Sequence, residues 1–227
     1  MYEKLGNEAQ KMQKSFETVK LEFNEVIALK KAVLYIHGKG GSAEEADRYK
    51  KICNGYDVFG LDYKGTTPWE TKEEILNEYE SLCKKYDSIL IIANSIGAYF
   101  TMNALADKKL ERAFFISPIV NMEKLISDMM MWANVTEQEL QDKQEIETSF
   151  GETLSWKYLC YVRDNPIAWN TSTDILYARN DNLTSYETIS KFTTETSSSL
   201  KIMEDGEHWF HTEEQLAFLD DWLRNRI

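Results

Sequence analysis

Two hydrophobic periods alternate along this chain. Six short runs rich in β-branched and aromatic residues recur along it: Val33–His37, Val58–Tyr63, Ile89–Asn94, Ala113–Ser117, Ile175–Ala178 and Leu200–Glu204. Between most of them apolar residues return at helical spacing, as in the stripes Ile75, Leu76, Tyr79, Leu82, Cys83 and Leu216, Phe218, Leu219, Trp222, Leu223. Such alternation predicts an α/β fold, a mostly parallel central sheet flanked by helices. Ile89–Ala93 and Ala113–Ile116 are unbroken apolar runs, the pattern demanded of strands buried on both faces. With domains averaging about 150 residues, the 227 residues read as a single domain, 1–227, carrying an insert.

The rhythm breaks once. Between Val120 and Asp174 no convincing strand of the main sheet appears, and the segment reads as helices over Met122–Ala133, Glu137–Ile146 and Leu154–Val162. A structureless loop of that length inside a domain would be improbable. An insert at 121–170, above the sheet edge, would roof a pocket. At the N-terminal end, Asn7–Lys14 reads as a helix and Thr18–Phe23 alternates like a strand.

The chemistry lies at the ends of the predicted strands. Ile91-Ile92-Ala93-Asn94-Ser95-Ile96-Gly97 is a buried strand entering small-x-Ser-x-Gly, followed by a helix packing through Ala98, Met102, Ala104 and Leu105. A serine on a sharp strand-to-helix turn needs small neighbours on either side, here Ala93 and Gly97. The turn exposes the Ser95 hydroxyl and puts the Ile96 amide at a helix N-terminus, where it can stabilise a developing oxyanion. Taken alone, the same pattern also describes a tight turn with serine as a helix cap. A second loop, His37-Gly38-Lys39-Gly40-Gly41-Ser42, follows the first strand and leads into a helix with Glu45 in capping-box position. It is not a phosphate loop, because Lys39 precedes the glycine pair, and no G-x-G-x-x-G can be written. Two further strand ends carry Asp181 and His208. In a parallel sheet all these residues share the carboxyl edge, where α/β sheets place their sites. Ser95 needs an imidazole to take its proton, and the imidazole needs a carboxylate to fix its tautomer.

Four strings in this order, HGKGGS, ANSIG, YARNDNLT and EDGEHWFHT, resemble the oxyanion loop, nucleophile elbow, acid loop and histidine loop of the α/β-hydrolase family. The likeness runs from Lys31 to the C-terminus, and is nearest to small bacterial members. It implies an α/β-hydrolase fold with a helical lid at 121–170, and catalytic residues Ser95, Asp181 and His208. It also implies oxyanion amides from Ile96 and Lys39, with Gly38 or Gly40 as the alternative to Lys39. The elbow departs from the family at Ala93, where glycine is usual. A serine nucleophile argues against the family's dehalogenases and epoxide hydrolases, which use aspartate. His211 is the rival base, and Asp62, Asp174 and Asp205 are rival acids; His37 is expected to brace its own loop.

The resulting expectation is a serine hydrolase that cleaves esters of small to medium apolar acyl groups through an acyl-enzyme. A peptidase, amidase or thioesterase would use the same residues, and a binding protein could retain the fold without turnover. No metal or organic cofactor is implied. Methionines 122, 129, 130 and 131 with Trp132, and Trp156, Tyr158, Leu159 and Tyr161, suit an adaptable apolar pocket, although about half should simply pack the insert onto the sheet. A net charge of −12 disfavours nucleic acid and anionic membranes as partners. Asn121–Trp169 holds nine acidic and four basic side chains, so a neutral or cationic acyl substrate is easier to admit than a polyanion. The charged opening MYEKLGNEAQKMQ sets the expectation of a cytoplasmic protein without a signal peptide. Three scattered cysteines, Cys53, Cys83 and Cys160, are expected to be buried or half-buried thiols.

Overall fold

The computed structural model describes residues 29–227, so the sequence expectations for Asn7–Lys14 and Thr18–Phe23 lie outside the described residues. Its contacts gather Lys31–Ile227 into one unit. Six strands form the sheet: β1 (Lys31–Ile36), β2 (Asp57–Leu61), β3 (Ser88–Asn94), β4 (Arg112–Ile116), β7 (Thr173–Asn180) and β8 (Ser199–Glu207). Their order across the sheet is β2-β1-β3-β4-β7-β8, and every neighbouring pair is parallel. Each strand therefore ends on the same edge.

Alternate residues of the inner strands enter two separate cores. Leu34, Ile36, Ile91, Ala93, Phe115 and Tyr177 face one, against α2 (Pro68–Cys83), α3 (Ile96–Leu105) and Ile189 of α7 (Tyr186–Thr196). Val33, Tyr35, Ile92, Phe114, Ile116 and Leu176 face the other, with α1 (Ala46–Lys50) and α8 (Glu213–Arg224). The unbroken apolar runs follow from this double burial, and each large side chain so buried contributes about 1.5–3 kcal/mol. α3 is apolar almost all round and buried almost all round, because it lies between the sheet and its neighbours. α8 is the amphipathic case: Leu219, Trp222 and Leu223 turn inward.

The segment between β4 and β7 holds α4 (Met122–Ala133), α5 (Glu137–Lys143), the hairpin β5 (Glu145–Glu147) and β6 (Thr153–Ser155), and α6 (Trp156–Asp164). The hairpin corrects the expectation of a helix running through Ile146. Gln144 turns to φ 67° and stops α5, and Ile146 then pairs with Leu154 across two antiparallel strands. Ile146 and Leu154 both pack inward, between exposed Glu145, Glu147 and Thr153, a period of two that helical spacing does not reveal. The helix after it is capped by the Ser155 hydroxyl, which accepts from the Tyr158 amide. Leu125, Ile126, Met130, Leu140, Leu154, Leu159 and Val162 belong to the same core as the adjoining sheet face. Of the methionine cluster, Met122 and Met130 are buried, whereas Met131 and Trp132 stay exposed. Arg163 of α6 joins Glu123 of α4 at 2.7 Å and Glu137 of α5 at 2.6 and 2.9 Å, so one guanidinium ties three helices together.

The amino edge of the sheet is locked by a buried carboxylate. Asp174, near the start of β7, meets Arg112 at the start of β4, Arg226 at 3.3 Å and the Ser199 hydroxyl. Removing one partner of a buried ion pair leaves charge uncompensated and costs on the order of 3 kcal/mol. Arg112→Met should therefore lower urea-unfolding stability by about that amount, and leave the opposite edge intact. A loss below about 0.5 kcal/mol would show that Arg226 and Ser199 suffice.

Among the described residues no helix is long and apolar enough to cross a membrane. All three cysteines are free. Cys53 is buried, which pushes its thiol up to about 12, and Cys160 is half-buried. Cys83 is exposed, a correction to the expectation: it closes α2 on the solvent side of Leu82.

Candidate active site

β3 delivers Ser95 and α3 begins at the next residue. Ser95 adopts φ 52°, ψ −122°, a left-handed conformation that a serine holds only when its surroundings impose it. Those surroundings are tight. A Cβ on Gly97 would sit 2.4 Å from the His37 carbonyl oxygen, so only glycine lets the helix start lie this close to the first loop. The Ser95 amide donates to the Ile116 carbonyl at 2.9 Å, and its own carbonyl accepts from Ala98 and Ile119. The hydroxyl is thereby presented at the carboxyl edge, on a residue that remains partly exposed.

β8 delivers the histidine through an irregularity. Its pairing with β7 steps from Ala178↔Met203 to Asn180↔Glu207, so Glu204, Asp205 and Gly206 stand against Arg179 alone. Bulges of this kind re-aim the chain beside functional sites. Gly206 packs where a Cβ would approach those of Met203 and Ala178 at 3.1 and 3.2 Å. His208 emerges just past the bulge with its side chain 14% exposed. Its Nδ1–H donates to Asp181 Oδ2 at 2.7 Å, and the Ser95 hydroxyl donates to Nε2 at 2.8 Å. The carboxylate fixes this tautomer, since only a proton on Nδ1 satisfies it.

Asp181 follows β7 with a fully buried side chain. Its second oxygen, Oδ1, accepts from the amides of Leu183 and Thr184 at 2.8 and 2.9 Å. The loop itself is pinned, because Tyr177 donates to the Thr184 carbonyl and the Thr184 hydroxyl donates to the Pro118 carbonyl. One carboxylate oxygen thus anchors to backbone while the other orients the imidazole.

The loop after β1 lies against the elbow: a Cβ on Gly38 would meet that of Ser95 at 3.2 Å. The Gly41 amide closes a turn onto the Gly38 carbonyl, with Lys39 within it. Ser42 and Glu45 form the expected capping box, although a 3₁₀ turn, Ala43–Glu45, precedes α1. Tyr35 also donates to Glu45, tying loop to strand. His37 Nδ1–H donates to the neighbouring Gly38 carbonyl at 2.7 Å, and the ring stacks on Tyr63 at 4.1 Å. Ile96 opens α3, so its amide has no carbonyl one turn back to bond. The Ile96 amide thus directly follows Ser95, and Lys39 follows Gly38, the residue of the loop that packs against the Ser95 side chain.

The rivals lie elsewhere. His211 bonds the Trp209 carbonyl and stacks on that indole ahead of α8. Asp62 is exposed and pairs with Lys64; Asp174 is in the amino-edge cluster; Asp205 is exposed on β8. Among the described residues no three or more His, Cys, Asp or Glu side chains are grouped as metal ligands.

No protein-family model matches the chain, and no curated protein matches it in sequence. Solved structures do match in shape. Est1E from Butyrivibrio proteoclasticus superposes with TM-score 0.68 at 16% identity, covering 87% of this chain and 86% of that one. Mouse alpha/beta hydrolase domain-containing protein 10 gives 0.68 at 13% identity, covering 86% and 88%. A lipase-esterase related protein from Clostridium acetobutylicum gives 0.60 at 18%, covering 87% and 94%.

The chain has the α/β-hydrolase fold. In this α/β-hydrolase scaffold the sequence strings HGKGGS, ANSIG, YARNDNLT and EDGEHWFHT all reach the carboxyl edge. Two features of the site were not legible in them. Lys39 forms an ion pair at 2.5 Å with Glu152, at the turn of the β5–β6 hairpin, so the loop beside Ser95 is linked to the insert. Tyr63 supports His37, by the stack and by donating to its carbonyl at 2.8 Å. Neither partner is near in sequence. A lone glutamate and a tyrosine among 12 carry no local signal.

Proposed function

We propose that the protein is a serine hydrolase, and specifically a carboxylesterase acting on small to medium acyl groups. One observation carries this reading: a strained, partly exposed serine hydroxyl donates to an imidazole whose other nitrogen is held by a buried, amide-anchored carboxylate. His208 takes the Ser95 proton as the hydroxyl oxygen attacks the acyl carbon. The amides of Ile96 and Lys39 hold the tetrahedral oxyanion, aided by the N-terminal end of α3. His208, now protonated and paired with Asp181, gives its proton to the leaving alcohol. Water then attacks the acyl-enzyme with His208 as base and regenerates Ser95.

The insert serves in this reading as a lid, linked to the oxyanion loop by Lys39 and Glu152. Its acidic surplus favours neutral or cationic small-molecule substrates, and the chain's net charge of −12 opposes nucleic-acid or anionic-membrane partners. Free thiols, one exposed, fit a reducing compartment such as the cytoplasm. Amidase, peptidase or thioesterase activity would run through the same residues, while a binding protein would have no use for the relay.

The experiment is a series of p-nitrophenyl esters of rising acyl length beside a series of aminoacyl anilides. Turnover of the short and medium esters should exceed that of every anilide. Faster anilide cleavage would make the enzyme a peptidase or amidase, and no turnover of any substrate would contradict the hydrolase reading.

A further inference from the structure

Between α3, the start of α2 and α6 lies a nest of aromatic rings. Trp69 meets Tyr158 and Tyr161 edge-on, with ring centroids 5.6 and 5.1 Å apart. Tyr99 of α3 and Tyr63 adjoin them, both against the Phe100 ring with centroids 6.1 and 5.8 Å away. Two of the four hydroxyls have partners: Tyr63 donates to the His37 carbonyl and Tyr161 to Asn103 Oδ1 at 3.2 Å. The hydroxyls of Tyr99 and Tyr158 are buried and have no hydrogen-bond partner among the described residues. Tyr99 is only 2% exposed. Burial pushes both phenols above their ordinary range, so each carries its proton at neutral pH.

An unpartnered buried hydroxyl is costly, and phenylalanine would fill the same space without that cost. Two of them, one on the elbow helix and one on the insert, call for an acceptor that the chain does not supply. Tyr99 lies four residues, about 6 Å of helix rise, beyond Ser95, and Tyr63 ties the nest to the loop beside the serine. We infer that this nest is the acyl subsite, and that it takes an aryl acyl group whose ring bears an oxygen substituent received by the hydroxyls of Tyr99 and Tyr158. Trp69, Tyr158 and Tyr161 supply the flat apolar contacts, and the two phenols supply the polar end. The inference rests on the serine-hydrolase reading for the reaction, but not for the binding.

The test compares methyl 3-phenylpropanoate with methyl 3-(4-hydroxyphenyl)propanoate, in the wild type and in Tyr158→Phe and Tyr99→Phe. One recovered hydrogen bond is worth about tenfold, so the wild type should prefer the hydroxylated ester by about tenfold in kcat/KM. In each variant that ratio should collapse towards one. Equal wild-type rates, or parallel losses on both esters, would overturn the subsite. A second arm reads binding without turnover: 3-(4-hydroxyphenyl)propanoate should raise the melting temperature of the wild type, and do so less in either variant. Without ligand, both variants should melt at or above the wild-type temperature. A lower unliganded melting temperature in both variants with no ligand-induced shift in the wild type would mean a resident water satisfies the hydroxyls, and would overturn the subsite. If Ser95 proves unreactive while the binding arm succeeds, the hydrolase reading fails and the subsite stands.

Discussion

Replacing Asp181 with asparagine should lower turnover by about 10⁴-fold while leaving the fold in place. The reason is the division of labour between its two oxygens. Oδ1 accepts from the amides of Leu183 and Thr184, whereas Oδ2 accepts from His208 Nδ1. An asparagine must turn its NH₂ group to one side or the other. Facing the two backbone amides it would set donor against donor, so the NH₂ turns to His208 instead. The imidazole then carries its proton on Nε2 and has no lone pair for the Ser95 hydroxyl. Because the backbone contacts survive, the thermal melting temperature should stay close to wild type. The check is kcat on p-nitrophenyl acetate measured alongside a melt. A wild-type rate in a folded variant would place the acid elsewhere, and a collapsed melt would make Asp181 a structural residue first.

Removing the nucleophile has a still larger expected effect. Ser95→Ala should reduce ester turnover by about 10⁶-fold, because it abolishes the acyl-enzyme and strands His208 with no proton to take. The backbone at this position stays at φ 52° through contacts of Gly97 and Gly38 with neighbouring loops, so the variant should fold. Ser117 is the matched control. It too has positive φ, but its hydroxyl is without a partner among the described residues and the residue is fully buried behind the end of β4. Ser117→Ala should retain turnover. Comparable losses in both variants would show that the effect comes from the sheet edge and not from the Ser95 hydroxyl.

The parts of this structure that could be read from the sequence are those set by local periodicity. The four inner strands β1, β3, β4 and β7 are foreshadowed because burial on both faces makes them nearly continuous in apolar residues, and the edge strands β2 and β8 by β-rich runs. Ser95, Asp181 and His208 could be named because each follows a strand readable in the sequence, and a parallel sheet collects the ends of its strands. What long-range packing decides stayed hidden. The β5–β6 hairpin depends on Gln144 breaking its helix, and three-residue strands are too short to show a period. The bulge that aims His208 depends on Gly206 closing against Met203 and Ala178. The Lys39–Glu152 pair joins positions that no motif connects. Nothing local in the sequence marks the hydroxyls of Tyr99 and Tyr158 as buried without partners among the described residues.

Reaction with a fluorophosphonate tests the relay, since such a probe bonds by far the fastest to a serine whose proton has somewhere to go. At neutral pH the wild type should gain one adduct, mapped by peptide mass to Ser95, and Ser95→Ala should gain none while Ser117→Ala labels normally. A wild-type protein that stays unmodified, or an adduct that persists in Ser95→Ala, would contradict it.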